Sequence, residues 1–150
     1  MIRIYVAGSS SERVRARSAM ALVSQSASHS LTHDWLEVVE SSKPDHELTR
    51  DEACKAALAD LGGLRYAHTL WFLLPQTPST GAWFELGYFA RRLCEPMDST
   101  DPTSAARRHR LVISGPGNDS IFVAWLRSIG AERYDSDYEA ALALELMEAL

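Results

Sequence analysis

One carboxylate stands apart by its surroundings. Glu85 closes the run Pro75-Gln-Thr-Pro-Ser-Thr-Gly-Ala-Trp-Phe-Glu85, where prolines and small hydroxyl residues separate an apolar stretch from a helical one. Prolines break a β ladder, and Ser79 and Thr80 are suited to cap a helix that begins at about Gly81. Glu85 then lies in the early turns of that helix, just beyond the carboxyl end of the strand His68 to Leu74. Open α/β sheets bind ligands in that crevice. A carboxylate there sits near a positive helix end, under a loop rich in small hydroxyl residues, where it can face a bound ligand. It can also do no more than offset the helix dipole.

The elements that must position it read as alternating strands and helices. Ile2 to Ala7 is a short, β-branched, buried strand. Gly8 turns the chain, and Ser9 with Glu12 has the spacing of a capping box for a helix reaching about Ser26. A strand, a glycine and a helix start with free amides also make an anion site, for which Ser9, Ser10 and Arg13 are candidates. The G-x-G-x-x-G fingerprint of dinucleotide sites is absent. Val14, Ala19, Leu22 and Val23 supply that helix's apolar stripe, with Arg13, Arg15 and Arg17 as its mostly solvated face.

Ser28 to His33 is a weak second strand that ends at the Asp34-Trp35 pair, which either plugs the core edge or lines a pocket. His29 and His33, four apart on a strand, are not read as metal ligands. Glu37 to His46 is expected to be a polar loop, followed by a helix from about Glu47 to Arg65. Leu48, Ala53, Ala57, Leu61 and Leu64 are its apolar positions, and Gly62-Gly63 should weaken its last turn. Asp60, toward the carboxyl end of that helix, is on the unfavourable side of its dipole, a cost more readily accepted at a site than elsewhere.

Thr69 to Leu74 is apolar throughout, as a central parallel strand buried on both faces must be. Glu95 to His109 reads as an exposed excursion, Arg110 to Ser114 as a fourth strand, and Gly115 to Asp119 as a turn. A helix from Ile121 to Ser128, a short strand from Glu132 to Tyr134 and a helix from Asp137 to Leu150 complete the chain, the last with Tyr138 and the leucines facing inward. The alternation predicts one doubly wound parallel sheet, flavodoxin-like, in the order 2-1-3-4-5.

The 150 residues suffice for a single domain with a real core. A net charge of −5 argues weakly against a nucleic-acid polymer as partner. The absence of any long apolar run argues against a membrane span. Cys54 and Cys94 are too few and too scattered for a disulfide framework or zinc site, and the chain opens directly on a strand. A cytoplasmic location is the expectation.

The motifs together resemble the nucleoside 2-deoxyribosyltransferase family, and in residue detail its branch of 2'-deoxynucleoside 5'-phosphate N-hydrolases. The resemblance rests on Ile4-Tyr-Val-Ala-Gly-Ser9, on Asp60-Leu61 before the third strand, and above all on Gly81-Ala-Trp-Phe-Glu-Leu-Gly87, which is similar to the family's G-x-x-x-E-L-G. It implies Glu85 as nucleophile, Tyr5 as the residue that orients it, and Asp60 facing the base. Six residues before the nucleophile the transferases carry an aspartate and the phosphate-dependent hydrolases a serine, and here it is Ser79. Gly8 and Gly81 would border the substrate, while Asn118 or Ser120 would complete a neighbouring subunit's site in a homodimer or larger assembly. Trp83, Phe84, Tyr88 and Phe89 are also too many apolar residues for one helix face in a small core. Departures are His68, where the transferases are acidic, and the Asp34-Trp35 pair.

The implied activity is cleavage of the N-glycosidic bond of a nucleoside or nucleotide, with hydrolysis and transfer both open and no cofactor required. Two other classes fit the same residues: a nucleotide-binding or sensor module that does not cleave, and a glycohydrolase of NAD or ADP-ribose-type nucleotides.

Overall fold

The computed structural model describes residues 1–41, 48–94, 109–117 and 120–148. Strands β1 (Ile2–Ala7), β2 (His29–Leu31), β3 (Thr69–Leu73), β4 (Arg110–Ser114) and β5 (Glu132–Tyr134) form one sheet in the order β2-β1-β3-β4-β5. Every neighbouring pair is parallel, with Tyr5 opposite Leu70 and Phe72 opposite Ile113. This is the flavodoxin-like arrangement that the alternating pattern predicts. β3 is buried along its whole length, as its apolar sequence requires. Its place between β1 and β4 makes the gap beyond the ends of β1 and β3 the switch point of the sheet.

Helices α1 (Arg13–Gln25) and α6 (Asp137–Ala143) pack together on one face of the sheet. Helices α3 (Arg50–Tyr66) and α4 (Thr80–Cys94) pack together on the other. Trp83 of α4 lies against Phe72 and, on its other side, against Phe122 of α5 (Ile121–Ser128). The core centres on Ile4, Tyr5, Trp71, Phe72, Leu86 and Phe89, all fully buried.

Several local expectations give way to packing. The segment after Trp35 is not all loop: α2 (Leu36–Ser41) occupies its start, and residues 42–46 lie outside the described part of the chain. The Asp34 carboxylate accepts from the Leu36 amide at 3.1 Å, and Leu36 is buried, so a cap and an apolar anchor suffice for this short helix. The Ser9–Glu12 capping box does not form. A 3-10 turn, Ser10–Glu12, precedes α1; the Ser9 hydroxyl accepts from the Ser11 amide instead. Glu12 turns away to accept from the Gln76 amide at 3.1 Å and from Arg15. With the helix starting later, Val14 is 84% exposed, and Ala16, Ala19, Met20 and Val23 are the residues that α1 buries. Helix α3 buries only Gly63 and Leu64, and α6 ends at Ala143 with Tyr138 turned outward. The expected excursion at 95–108 lies outside the described residues.

The arginines of α1 are the largest departure. Arg17 pairs with Asp34 and Glu40. Arg15 uses all its donors: Nε and Nη2 grip the Asp137 carboxylate at 2.6 and 2.8 Å, Nη1 donates to Glu12 and to the Leu74 carbonyl, and Nη2 also donates to the Ser114 carbonyl at 3.0 Å. Ser114 Oγ donates to the same carboxylate at 2.6 Å while accepting from Trp71 Nε1. One guanidinium thus ties the carboxyl ends of β3 and β4 to α1 and α6. Gly115, at a φ of 120°, leaves the room for it; a Cβ there would meet the guanidinium head-on. Replacing Arg15 with Met leaves two strand-end carbonyls and a half-buried carboxylate short of donors. A loss of about 3 kcal/mol is expected, read as a lower urea midpoint with an unchanged slope.

Candidate active site

The carboxyl ends of β1 and β3 each lead into a hydroxyl-rich turn. After β1 come Gly8, Ser9, Ser10 and Ser11, and after β3 come Thr77, Ser79 and Thr80. Side chains join the two turns: Ser11 Oγ is 2.6 Å from Thr77 Oγ1, Ser9 Oγ is 3.2 Å from it, and Ser9 and Ser11 are 2.7 Å apart. Ser79 caps α4 by accepting from the Ala82 amide at 3.4 Å, so its own proton remains available to donate. Between the turns opens a cleft of about 430 Å³. Gly8, Ser9, Ser10, Ser79 and Gly81 line its polar end. Trp35, Val38, Val39 and Leu48 form an apolar wall, and Asp60 and Glu85 stand in it together. The volume suits a small organic ligand.

Glu85 is fixed from below. Tyr5, fully buried on β1, donates its hydroxyl to Glu85 Oε1 at 2.9 Å. The two are 80 positions apart in the chain and meet because α4 crosses the sheet over β1. Burial, with the nearby charges of Glu85 and Asp60, holds the Tyr5 phenol far above its usual range, so it stays a neutral donor. Burial also pushes the Glu85 carboxyl up to about 8; the Tyr5 hydrogen bond opposes this shift, and the charge of Asp60 adds to it. Asp60 is raised as well, by burial first, with His33 and the Tyr5 hydroxyl pulling the other way. Two raised carboxyls facing one cleft, one of them anchored by a phenol, can divide nucleophile and acid roles between them.

The structure gathers most of the residues singled out in the sequence: Tyr5, Asp60 and Glu85 at the centre, with Gly8, Ser9, Ser10, Trp35, Ser79 and Gly81 around them. Trp35 does both things asked of it. Its Nε1 donates to the Val6 carbonyl at 2.8 Å, closing the core edge, while its ring lines the cleft. Asp34 does not line the cleft; Arg17 and the start of α2 take up its carboxylate. Arg13 is exposed and away from the cleft wall. Ser120 caps α5 through the Val123 amide, and Asn118 lies outside the described residues. His29 bonds Ser26 and Ser28, and no cluster of three metal-ligating side chains occurs among the described residues. Two residues join the site with no role expected there from the sequence: Thr77, which bridges the two turns, and His33, weighed only as a metal ligand, whose Nε2 lies 3.2 Å from Asp60 Oδ1. Neither spacing carries a signal, since each contact joins distant parts of the chain.

No family model matches this chain, and no curated protein matches it. Among solved structures it is similar to the "Crystal structure of conserved protein from Enterococcus faecalis V583", with a TM-score of 0.60 over 95% of this chain and 96% of that one, at 18% identity. At that identity the likeness establishes the fold. Among the described residues no helix is long and apolar enough to cross a membrane.

The buried carboxyl has a cost that pH reveals. Unfolded, Glu85 ionises near 4.5; folded, it keeps its proton to about 8. Between those values the folded state binds more protons, so stability falls as pH rises through the window. Glu85→Gln removes that loss and can still accept from Tyr5. The variant should match the wild type near pH 4 and exceed it by roughly 4 kcal/mol at pH 8, measured by urea denaturation at both values.

Proposed function

We propose that the chain cleaves the N-glycosidic bond of (deoxy)nucleoside 5'-monophosphates, with Glu85 as nucleophile. The observation that carries this reading is the Tyr5–Glu85 hydrogen bond, set beside Asp60 in a single cleft at the sheet's switch point. As the bond from the base nitrogen to C1' breaks, its electron pair leaves with the base and positive charge grows at C1'. A Glu85 oxygen forms an ester with C1', as in retaining glycosidases. Asp60, which stands beside Glu85 in the cleft, supplies the proton or hydrogen bond that the departing base needs. Water, or a second base, then attacks C1' and frees the carboxylate. The apolar wall around Trp35 offers the base a flat surface.

The phosphate preference is supported by the chemistry of the other end of the cleft. Ser9, Ser10 and Ser79 line it, and among the described residues no charged side chain stands among those serines to repel a phosphate. Hydroxyl donors suit phosphate oxygens. An aspartate at position 79 would suit a free 5'-hydroxyl instead.

A paired assay of a deoxynucleoside and its monophosphate, scored by released base, tests the reading. The wild type should favour the monophosphate in kcat/KM. Because the nucleophile must be ionised, kcat/KM should climb with pH along a limb near 8, where Glu85 loses its proton. Glu85→Gln should fall by at least ~1,000-fold with binding retained, since an amide cannot form the ester. Near-wild-type turnover by that variant would falsify the mechanism. One observation favours a module that binds without cleaving: Glu85 is largely protonated at neutral pH. Nucleotide binding with no released base at pH 8.5 would decide for it.

The proposal extends to a homodimer. Phe84 and Tyr88 on α4, and Ile121 and Trp125 on α5, are exposed, Phe84 to 61% and Ile121 to 92%. A Cβ at Gly87, between the two α4 aromatics, would meet nothing in its own chain among the described residues. Light scattering should give twice the monomer mass, and Phe84→Glu should lower it toward one chain.

A further inference from the structure

Where the cleft meets the sheet, Tyr5 and Asp60 share a junction with His33, a residue that the reaction above leaves unused. Helix α3 presses onto the sheet at Gly63. A Cβ at that position would lie 2.6 Å from the His33 Cβ and 2.9 Å from Tyr5 Cε2, distances that side-chain carbons do not tolerate. Asp60, one turn earlier on the same helix, is thereby brought down between the two side chains. Its Oδ1 lies 3.2 Å from His33 Nε2. That nitrogen is buried, and the contact lacks the alignment of a hydrogen bond. A buried polar nitrogen without a hydrogen bond is rare and costly, and a small rotation of Asp60 would satisfy it. Glu85, by contrast, already has its partner in Tyr5. The titratable groups meeting here are therefore Tyr5 from β1, His33 from the end of β2, Asp60 from α3 and Glu85 from α4.

We propose that His33 is a positioning residue for Asp60, aiming one carboxylate oxygen at the departing base by holding the other, with Gly63 as the spacer that lets the contact form. The inference rests on the glycosidase reading. It adds that the leaving group, and not the attack by Glu85, depends on His33. Oδ1 is the oxygen that His33 approaches. Without that hold the carboxyl can rotate, and misplacement of a reacting group by about 1 Å costs on the order of 100-fold in rate.

The test compares two substrates in the full-length protein. One is an ordinary purine deoxynucleoside monophosphate, whose base needs a proton or hydrogen bond as it leaves. The other carries a methyl group on N7 of the purine, so the base is already cationic and leaves without help. His33→Leu should lower kcat about 10- to 100-fold on the first, with KM little changed. On the methylated substrate it should cost less than about threefold. His33→Gln, which keeps a donor near the Nε2 position, should restore much of the loss, and Gly63→Ala should reproduce the pattern of His33→Leu. The NMR resonance of His33 Nε2 should also shift on Asp60→Asn. Equal losses on both substrates, a Gln variant as slow as the Leu variant, or an unmoved Nε2 resonance would each overturn the proposal. Failure of the wild type to release base from either substrate overturns the glycosidase reading instead; the Nε2 resonance then decides by itself whether the two side chains are paired.

Discussion

The carboxyl edge of this sheet is held by a single guanidinium. Arg15 directs its five N–H groups to two carboxylates, the carbonyl just past β3 and the carbonyl that ends β4. Strand ends in a parallel sheet are where backbone polar groups run out of ladder partners. Here one side chain from α1 adds second donors to carbonyls that already accept from the Leu74 amide and the Gln76 side chain and, through Asp137, fastens α6 to the same point. Glu12 and Gln76 extend the hold to the turn after β3. The cleft lies beside this clamp, so its rim is built on backbone that cannot shift independently of the core.

Within the cleft the electrostatics run against ionisation. Burial raises both Asp60 and Glu85, and the charge of Asp60 pushes Glu85 further in the same direction. Tyr5 partly compensates from below with a hydroxyl too buried to lose its own proton. Such a site is poised toward a ligand that brings or develops positive charge, because that charge would let a carboxyl ionise as it forms. The hydroxyl turns are different in kind. They offer donors without formal charge, which stabilise an anion without adding to the repulsion between the two acids.

The fold was legible because its signals are local. An apolar run marks β3, and the turn after β4 and the capping residue of α5 bound their elements to within a residue or two. The placement of Glu85 followed from the same signals, since a strand, a break and a capped helix leave few positions for its early turns. What escaped were properties settled between distant segments. Nothing in R-V-R-A-R says that the middle arginine is a strand-end clamp and the last an ion-pair partner of Asp34. Gly63 looked like a weak point in a helix, but it is the place where that helix needs no side chain at all. The short α2 did have a signal, an aspartate three residues before a glutamate at positions 34 and 37, but it was outweighed by the polar stretch behind it.

Trp35 makes the cleft optically visible. Of the four tryptophans, Trp71 is sealed in the core and bonded to Ser114, while Trp83 and Trp125 belong to the aromatic run of α4 and α5. Trp35 alone among them has a ring lining the cavity, held still by its bond to the Val6 carbonyl. An indole fixed in this way has a steady emission until something stacks on it or changes the polarity above it. A variant keeping only Trp35 would therefore carry a fluorophore in the wall of the cleft, and occupancy of the cleft by an added small molecule could be followed without labels.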